Sequence, residues 1–309
     1  MNPLDRRTDV EIVEVAPRDG FQPIGPLIET VTKIDVVRRL HAAGLRRIEI
    51  GSFVSASAVP QMADTPAVLD GVRGEAGLLP QLLVPTERRG ADALAAGAPM
   101  VAYVLSVSEA HNRNNVRRTP AESAADYERF ASSVPAETPL RLSLATTFDC
   151  PFDGRVEPAD VMALLERLVP ARPDAEICLC DTTGRAVPDQ VRRMFGEAMA
   201  RFPDVRHWAM HGHDTYGLGL ANVFAAYEEG VRVFDAAAGG LGGCPFAPGA
   251  TGNTASEDVV WMFERMGVST GIDIEALRGV AEDVARLPGA QAGGRVRDAL
   301  RSQPERCGV

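Results

Sequence analysis

The chain has almost no lysine. Lys33 is the one lysine among 32 basic residues, and the other 31 are arginine. A Schiff-base mechanism needs a desolvated lysine in its site. Lys33 falls in the helical pattern Thr32–Ala43, whose apolar side is Ile34, Val37 and Leu40, so it reads as solvated. A Gly-x-x-x-x-Gly-Lys phosphate loop is excluded with it. Cysteine is also scarce: five thiols, scattered and odd in number, fit a reducing cytoplasm and not a disulfide framework. Cys178 and Cys180 lie two apart in an apolar run and read as small core residues. No run of about 18 apolar residues is present, so no membrane span is expected. Met1 to Arg7 lacks the apolar core of a signal peptide. Positive charge is short as well. With a net charge of −10, nucleic acid and anionic membranes are not expected as main partners. A local arginine cluster can still bind an anionic ligand.

What is present is a regular alternation. The 309 residues, 45% hydrophobic and 24% charged, suffice for one large α/β domain or two smaller ones. Apolar, β-branched runs occur at Val10–Ala16, Arg47–Ile50, Leu78–Val84, Met100–Val107, Leu140–Thr146, Ala175–Cys180, a seventh reaching His211 and His213, and Val231–Ala236. Helical patterns separate them. Alternation of this kind implies a parallel sheet. Eight units in about 250 residues fit a closed (β/α)8 barrel. An open doubly wound sheet is the alternative, but Arg18-Asp19-Gly20 stands where that fold places its Gly-x-Gly-x-x-Gly turn. The expectation is a single barrel domain over 1–309. The barrel takes about 10–250, and two C-terminal helices fall within about 256–287. Val260, Phe263 and Met266 line one helix, and Leu277, Val280 and Val284 the other. A polar, partly mobile tail is expected over 288–309.

The chemistry gathers at strand ends. His211 and His213 are two apart, so on a strand they face one way. In a barrel, polar residues at the C-terminal ends of strands converge on one mouth. Here these are Glu14, Arg18, Asp19, Glu49, Ser52, Asp181, His211, His213, Cys244 and Asn253. A carboxylate, two imidazoles and an amide oxygen suit Mg²⁺ or Mn²⁺, with Zn²⁺ less favoured. Arg18, beside Asp19, can offer a forked cation to an oxyanion, or form a structural pair with Glu14 or Glu49. Asp181 can orient a ligand or cap the next helix. The glycine-rich loop Gly239–Asn253 can be a lid that delivers Cys244 as acid or base, or a surface loop with an incidental thiol. Arg113, Arg117 and Arg118 are weaker candidates for an anionic ligand; a solvated basic turn is the alternative.

Four segments together closely resemble the hydroxymethylglutaryl-CoA lyase family. They are Val13-Glu14-Val15-Ala16-Pro17-Arg18-Asp19-Gly20-Phe21-Gln22; Ser52-Phe53-Val54-Ser55 with Val59-Pro60-Gln61-Met62-Ala63-Asp64; His211-Gly212-His213-Asp214-Thr215-Tyr216-Gly217; and Ala238-Gly239-Gly240-Leu241-Gly242-Gly243-Cys244-Pro245 with Gly252-Asn253. The resemblance implies a TIM barrel, a divalent metal on Asp19, His211, His213 and Asn253, and Arg18 stabilising an enolate. It implies a catalytic thiol at Cys244 and an acidic catalytic residue at Glu49, supported by Glu14. Gln22, Ser52, Asp181 and Thr183 would join Arg18 in binding substrate. The implied reaction is retro-Claisen cleavage of (S)-3-hydroxy-3-methylglutaryl-CoA to acetyl-CoA and acetoacetate, as in leucine degradation and ketone-body formation, by a cytoplasmic homodimer. Condensing relatives have Asn-Asp after the second histidine and Glu in the Arg-Asp-Gly-Glu-Gln motif; Asp214-Thr215 and Phe21 stand there, which favours cleavage. Pro23-Ile24-Gly25-Pro26, Ile50-Gly51 and Asp149 depart from the family pattern. They leave room for a different 3-hydroxyacyl-CoA.

Overall fold

The computed structural model describes Leu4, residues 8–243 and residues 252–301. Eight strands close a barrel: β1 (Glu11–Glu14), β2 (Arg47–Ser52), β3 (Leu79–Val84), β4 (Met100–Ser106), β5 (Leu140–Ala145), β6 (Glu176–Asp181), β7 (Trp208–Gly212) and β8 (Val233–Ala236). All neighbours are parallel. β8 returns to β1, with Glu11 opposite Val233 and Glu14 opposite Ala236. The open-sheet alternative is therefore set aside.

The strands are buried on both faces, as parallel strands under helices must be. On β4, Tyr103 points outward and its hydroxyl donates to Asp126 (2.9 Å) on helix Pro120–Ser133. The alternate positions face the barrel axis. That axis is not filled with aliphatic side chains alone. Arg47, Gln81, Arg141, Glu176 and Asp235 all sit inside, each at most 4% exposed.

β2 carries an extra residue. Glu49 pairs with Gln81, but Gly51 pairs with Leu82 and Ser52 with Leu83. Gln81 and Leu83 share a face of β3, so this bulge turns both Glu49 and Ser52 inward although they are three apart. Gly51 is required there: a Cβ would lie 2.5 Å from Thr65 Oγ1.

Two expectations need correction. Lys33 is buried, not solvated: it is 3% exposed, pairs with Asp64 (2.7 Å) and donates to Gln61 O (2.5 Å). The turn Pro60–Met62 folds over the start of helix Thr30–Ala42 and covers it. Met266 is 43% exposed, because helix Ser256–Arg265 has ended one residue earlier. Part of the stretch beyond 288 packs on the barrel. Gly293 N donates to Gly239 O (2.8 Å), and Val296–Arg301 forms a short helix that Asp258 tethers at Val296 N (2.8 Å). No helix among the described residues is long and apolar enough to cross a membrane.

Candidate active site

β1 ends in a single wide turn, Ala16–Gly20, that lifts Arg18 and Asp19 over the barrel mouth. Gly20 lets this turn approach the chain after β8: a Cβ there would meet Leu241 Cβ at 2.8 Å. Glu14 lies behind the turn, fully buried. It accepts from Ala16 N (2.8 Å), Ala238 N (2.9 Å) and Ser256 Oγ (2.7 Å), so it ties β1 to the segment following β8. Burial pushes its carboxyl up to about 7, against those hydrogen bonds.

His211 stands on β7 and His213 just past its end. The chain returns antiparallel beside His213 and pairs it with Asn253; Asp214 N donates to Gly252 O (2.8 Å) and Thr254 N to Gly212 O (3.1 Å). That return brings a residue 40 positions away to the histidines. One ligand atom from each of Asp19, His211 and His213 lies within 4.8 Å of the others. Asn253 Nδ2 donates to Asp19 Oδ2 (2.7 Å) and Leu241 O (2.9 Å). Its Oδ1 is buried with no hydrogen-bond partner among the described residues, as is His213 Nδ1. A carboxylate, two imidazoles and an orphaned amide oxygen fit a divalent cation.

The electrostatics of Asp19 and His213 favour the unprotonated forms that a metal ligand needs, whereas a metal must displace a proton from His211. Burial disfavours the Asp19 charge, yet Arg18, His213 and His211 hold its carboxyl well below the usual range. Burial works against a charge on His211, but its bond to Asp235, with Cys180 and Asp19 nearby, raises it to about 9. Burial lowers His213, and the neighbouring His211 adds to this. Arg18 pairs with both Asp19 and Glu49, so of the two structural partners expected from sequence Glu49 is the one used.

The remaining sequence candidates divide. Gln22 lines an open cleft of about 590 Å³ that reaches Asp19 and runs past Pro23, Leu27, Val59, Pro60 and Gln291. Gln61 also borders it, and braces its wall by donating to Ile24 O and Pro26 O, both at 3.0 Å. Ser52 is at the mouth, its Oγ buried without a hydrogen-bond partner among the described residues. Asp181 Oδ2 accepts from Ala186 N (3.2 Å), which fixes the loop ahead of helix Pro188–Arg201 and caps no helix end; its Oδ1 is buried without a hydrogen-bond partner among the described residues, and burial raises the carboxyl to about 7. Thr183 donates to Asp149 (3.3 Å), whose charge Arg185 offsets at 3.0 Å. Arg113 and Arg118 pair with Glu109 (2.8 Å) and Asp126 (2.7 Å). Cys244 lies outside the described residues; its neighbour Gly243 borders the cleft.

Sequence reasoning missed Asp235, whose Oδ2 lies 3.2 Å from His211 Nδ1, and Gln81, which donates to Glu49 Oε2 at 2.5 Å. The available signal was a polar residue inside an otherwise apolar strand run: Val233-Phe234-Asp235 and Leu79-Pro80-Gln81-Leu82.

A closed parallel barrel with this donor set and an arginine at its mouth is a frame for enzymes that act on oxygen-rich substrates. Comparison with known proteins makes the class specific. Residues 9–284 match the family model described as HMGL-like. The (R)-citramalyl-CoA lyase of Chloroflexus aurantiacus is 46% identical, over 87% of each chain. The HMG-CoA lyase structure from Bacillus subtilis superposes with a TM-score of 0.90 at 37% identity, covering 95% of this chain and 98% of that one. An HMG-CoA lyase from Acinetobacter baumannii, solved with coenzyme A and 3-methylmalate, gives 0.88 at 38%, covering 96% and 97%. The chain belongs to the hydroxymethylglutaryl-CoA lyase family and is a carbon–carbon lyase.

Proposed function

We propose that this enzyme cleaves the C2–C3 bond of a 3-hydroxy-3-methylacyl-CoA that ends in a carboxylate, with hydroxymethylglutaryl-CoA as the expected substrate. The observation that carries this is the convergence of Asp19, His211 and His213 on one point beside the orphaned Asn253 Oδ1, with Arg18 adjacent. When bound there, Mg²⁺ or Mn²⁺ would polarise the tertiary alcohol and orient the chelating substrate. Arg18 supplies fixed N–H groups to the thioester oxygen as it becomes an enolate oxygen, and Glu49 holds the guanidinium in place. The alcohol loses its proton, the C–C electron pair passes into the enolate, and C2 is then protonated to give acetyl-CoA. Glu49 and Cys244 are the acid–base residues for these transfers. The CoA arm enters along the cleft that Gln22, Val59 and Gln61 border. On the resemblance we place the enzyme in the cytoplasm as a homodimer, which sedimentation tests.

A second reading has specific support. Citramalyl-CoA is one methylene shorter and yields pyruvate with acetyl-CoA, and the 46% identity is to a lyase named for it. The replaced turn borders the same cleft through Pro23, Ile24 and Gly25. One experiment addresses both readings: acetyl-CoA release from each thioester, with Mg²⁺ or Mn²⁺, with a chelator, and with Cys244→Ser. Acetoacetate release that needs metal and collapses in the variant supports the first reading. Preferred release of pyruvate supports the second. No acetyl-CoA from either, with metal bound, sinks both.

A further inference from the structure

The barrel interior holds one continuous hydrogen-bonded chain whose two ends are both in the active site. From Arg18 it passes to Glu49, and Glu49 Oε2 accepts from Gln81 (2.5 Å). Gln81 Oε1 accepts from Arg47 Nε (2.9 Å) and Nη2 (2.7 Å). Arg47 grips Glu176 with two N–H groups (2.9 and 2.5 Å). Glu176 Oε1 also accepts from Arg141 Nε (2.6 Å), and Arg141 Nη1 reaches both oxygens of Asp235 (2.8 and 2.9 Å). Asp235 then meets His211 Nδ1. Each of the five residues between Glu49 and His211 is drawn from a different strand: β3, β2, β6, β5 and β8.

We infer that Arg141 and Gln81 are positioning residues for opposite sides of the reaction centre, with Glu176 as their shared anchor. The inference rests on the site reading above. Arg141 fixes Asp235, and Asp235 fixes the ring plane of His211 and leaves Nε2 directed at the metal side. Residues that hold a ligating histidine this way tune metal affinity. Gln81 is the one neutral link. It locks the Glu49 carboxylate from behind, so that Glu49 presents one oxygen to Arg18 and the guanidinium keeps its angle. Small displacements of such a group cost rate more than binding. The two arms should therefore fail differently. A role limited to stability would lower unfolding resistance in both and separate neither measurement.

The test compares Arg141→Lys and Gln81→Met with the wild type in two measurements: Mn²⁺ affinity by calorimetry without substrate, and turnover at saturating Mn²⁺. Arg141→Lys keeps the charge and loses the fork; Mn²⁺ binding should weaken about ten-fold or more. Gln81→Met keeps the volume; Mn²⁺ affinity should stay within about two-fold while kcat falls about ten-fold and KM holds. If Gln81→Met does not fold, Gln81→Asn keeps the amide but not its reach and should show the same split. Equal losses of affinity and rate in both variants, or reduced stability alone, would overturn the assignment. A wild type that binds Mn²⁺ but turns over neither thioester refutes the substrate reading, while the affinity contrast between the variants still decides the positioning roles.

Discussion

The two ends of the barrel interior are built from the same kinds of residue and do opposite things. At the lower end, Arg47, Arg141 and Glu176 sit in a mesh in which every Glu176 oxygen is engaged by guanidinium N–H groups, and Arg141 Nη2 alone of the three residues' polar atoms is buried without a partner among the described residues. At the mouth, Asn253 Oδ1, His213 Nδ1 and Ser52 Oγ are buried without hydrogen-bond partners among the described residues. Leaving a buried polar atom unmet costs about 1–3 kcal/mol. A protein tolerates that cost where a ligand will meet the atom. The difference teaches that burial and charge alone do not mark the site; several unmet atoms gathered beside convergent ligand atoms do.

The largest effect comes from destroying the mouth. Asp19→Ala or His213→Ala should abolish Mn²⁺ binding measurable by calorimetry and reduce turnover by roughly 10³-fold or more, with little change in thermal unfolding. Unfolding resistance that falls as far as in interior variants would erase the distinction between the two ends. Breaking the lower mesh should do the reverse. Arg47→Met leaves Glu176 with Arg141 as its one guanidinium partner and should cost about 3–5 kcal/mol in urea unfolding, because a buried ion-pair network loses one of its charges. Arg18→Met lies between the ends. It should lower kcat by about 10²–10³-fold with Mn²⁺ affinity largely kept, as expected for a donor to a developing oxyanion.

The smallest effect sharpens the comparison through pH. Glu14 has a folded value of about 7, above its ordinary 4.5, because burial opposes its charge. Between those values the folded protein holds a proton that the unfolded chain has released. This contribution is greatest below about pH 4.5 and is lost as the pH rises through 7. Asp181 and Glu257, also raised to about 7 by burial, act in the same sense. Glu14→Gln mimics the protonated form and should flatten the stability profile between pH 5 and 7 by about 1–3 kcal/mol, read from urea midpoints. An unchanged slope would mean that Glu14 is ionised throughout.

Much of this was legible because it is local. The eight apolar runs announced the strands, and Arg18-Asp19 with His211-Gly212-His213 announced the mouth, since strand ends gather there whatever the details of packing. Legibility stopped where meaning depends on distant partners. Arg141 and Glu176 each interrupt an apolar run, but only ring closure shows that they meet each other and Asp235. Lys33 looked solvated because its cover, Pro60–Asp64, lies about 30 residues further along. Ser52 faces the same way as Glu49 only because β2 has an extra residue, which no period-two reading anticipates.

The shared anchoring of two arms on Glu176 also bears on how this family can change over time. A lone substitution at Glu176, Arg47 or Arg141 leaves the charges of a dry interior unbalanced, so viable descendants must alter partners together. The cleft wall at Pro23–Leu27 has no such tie to the interior charges. Sequence drift should therefore be slow and paired along the axis but free at the cleft, which lets new acyl groups be tried while the bond-breaking machinery stays as it was.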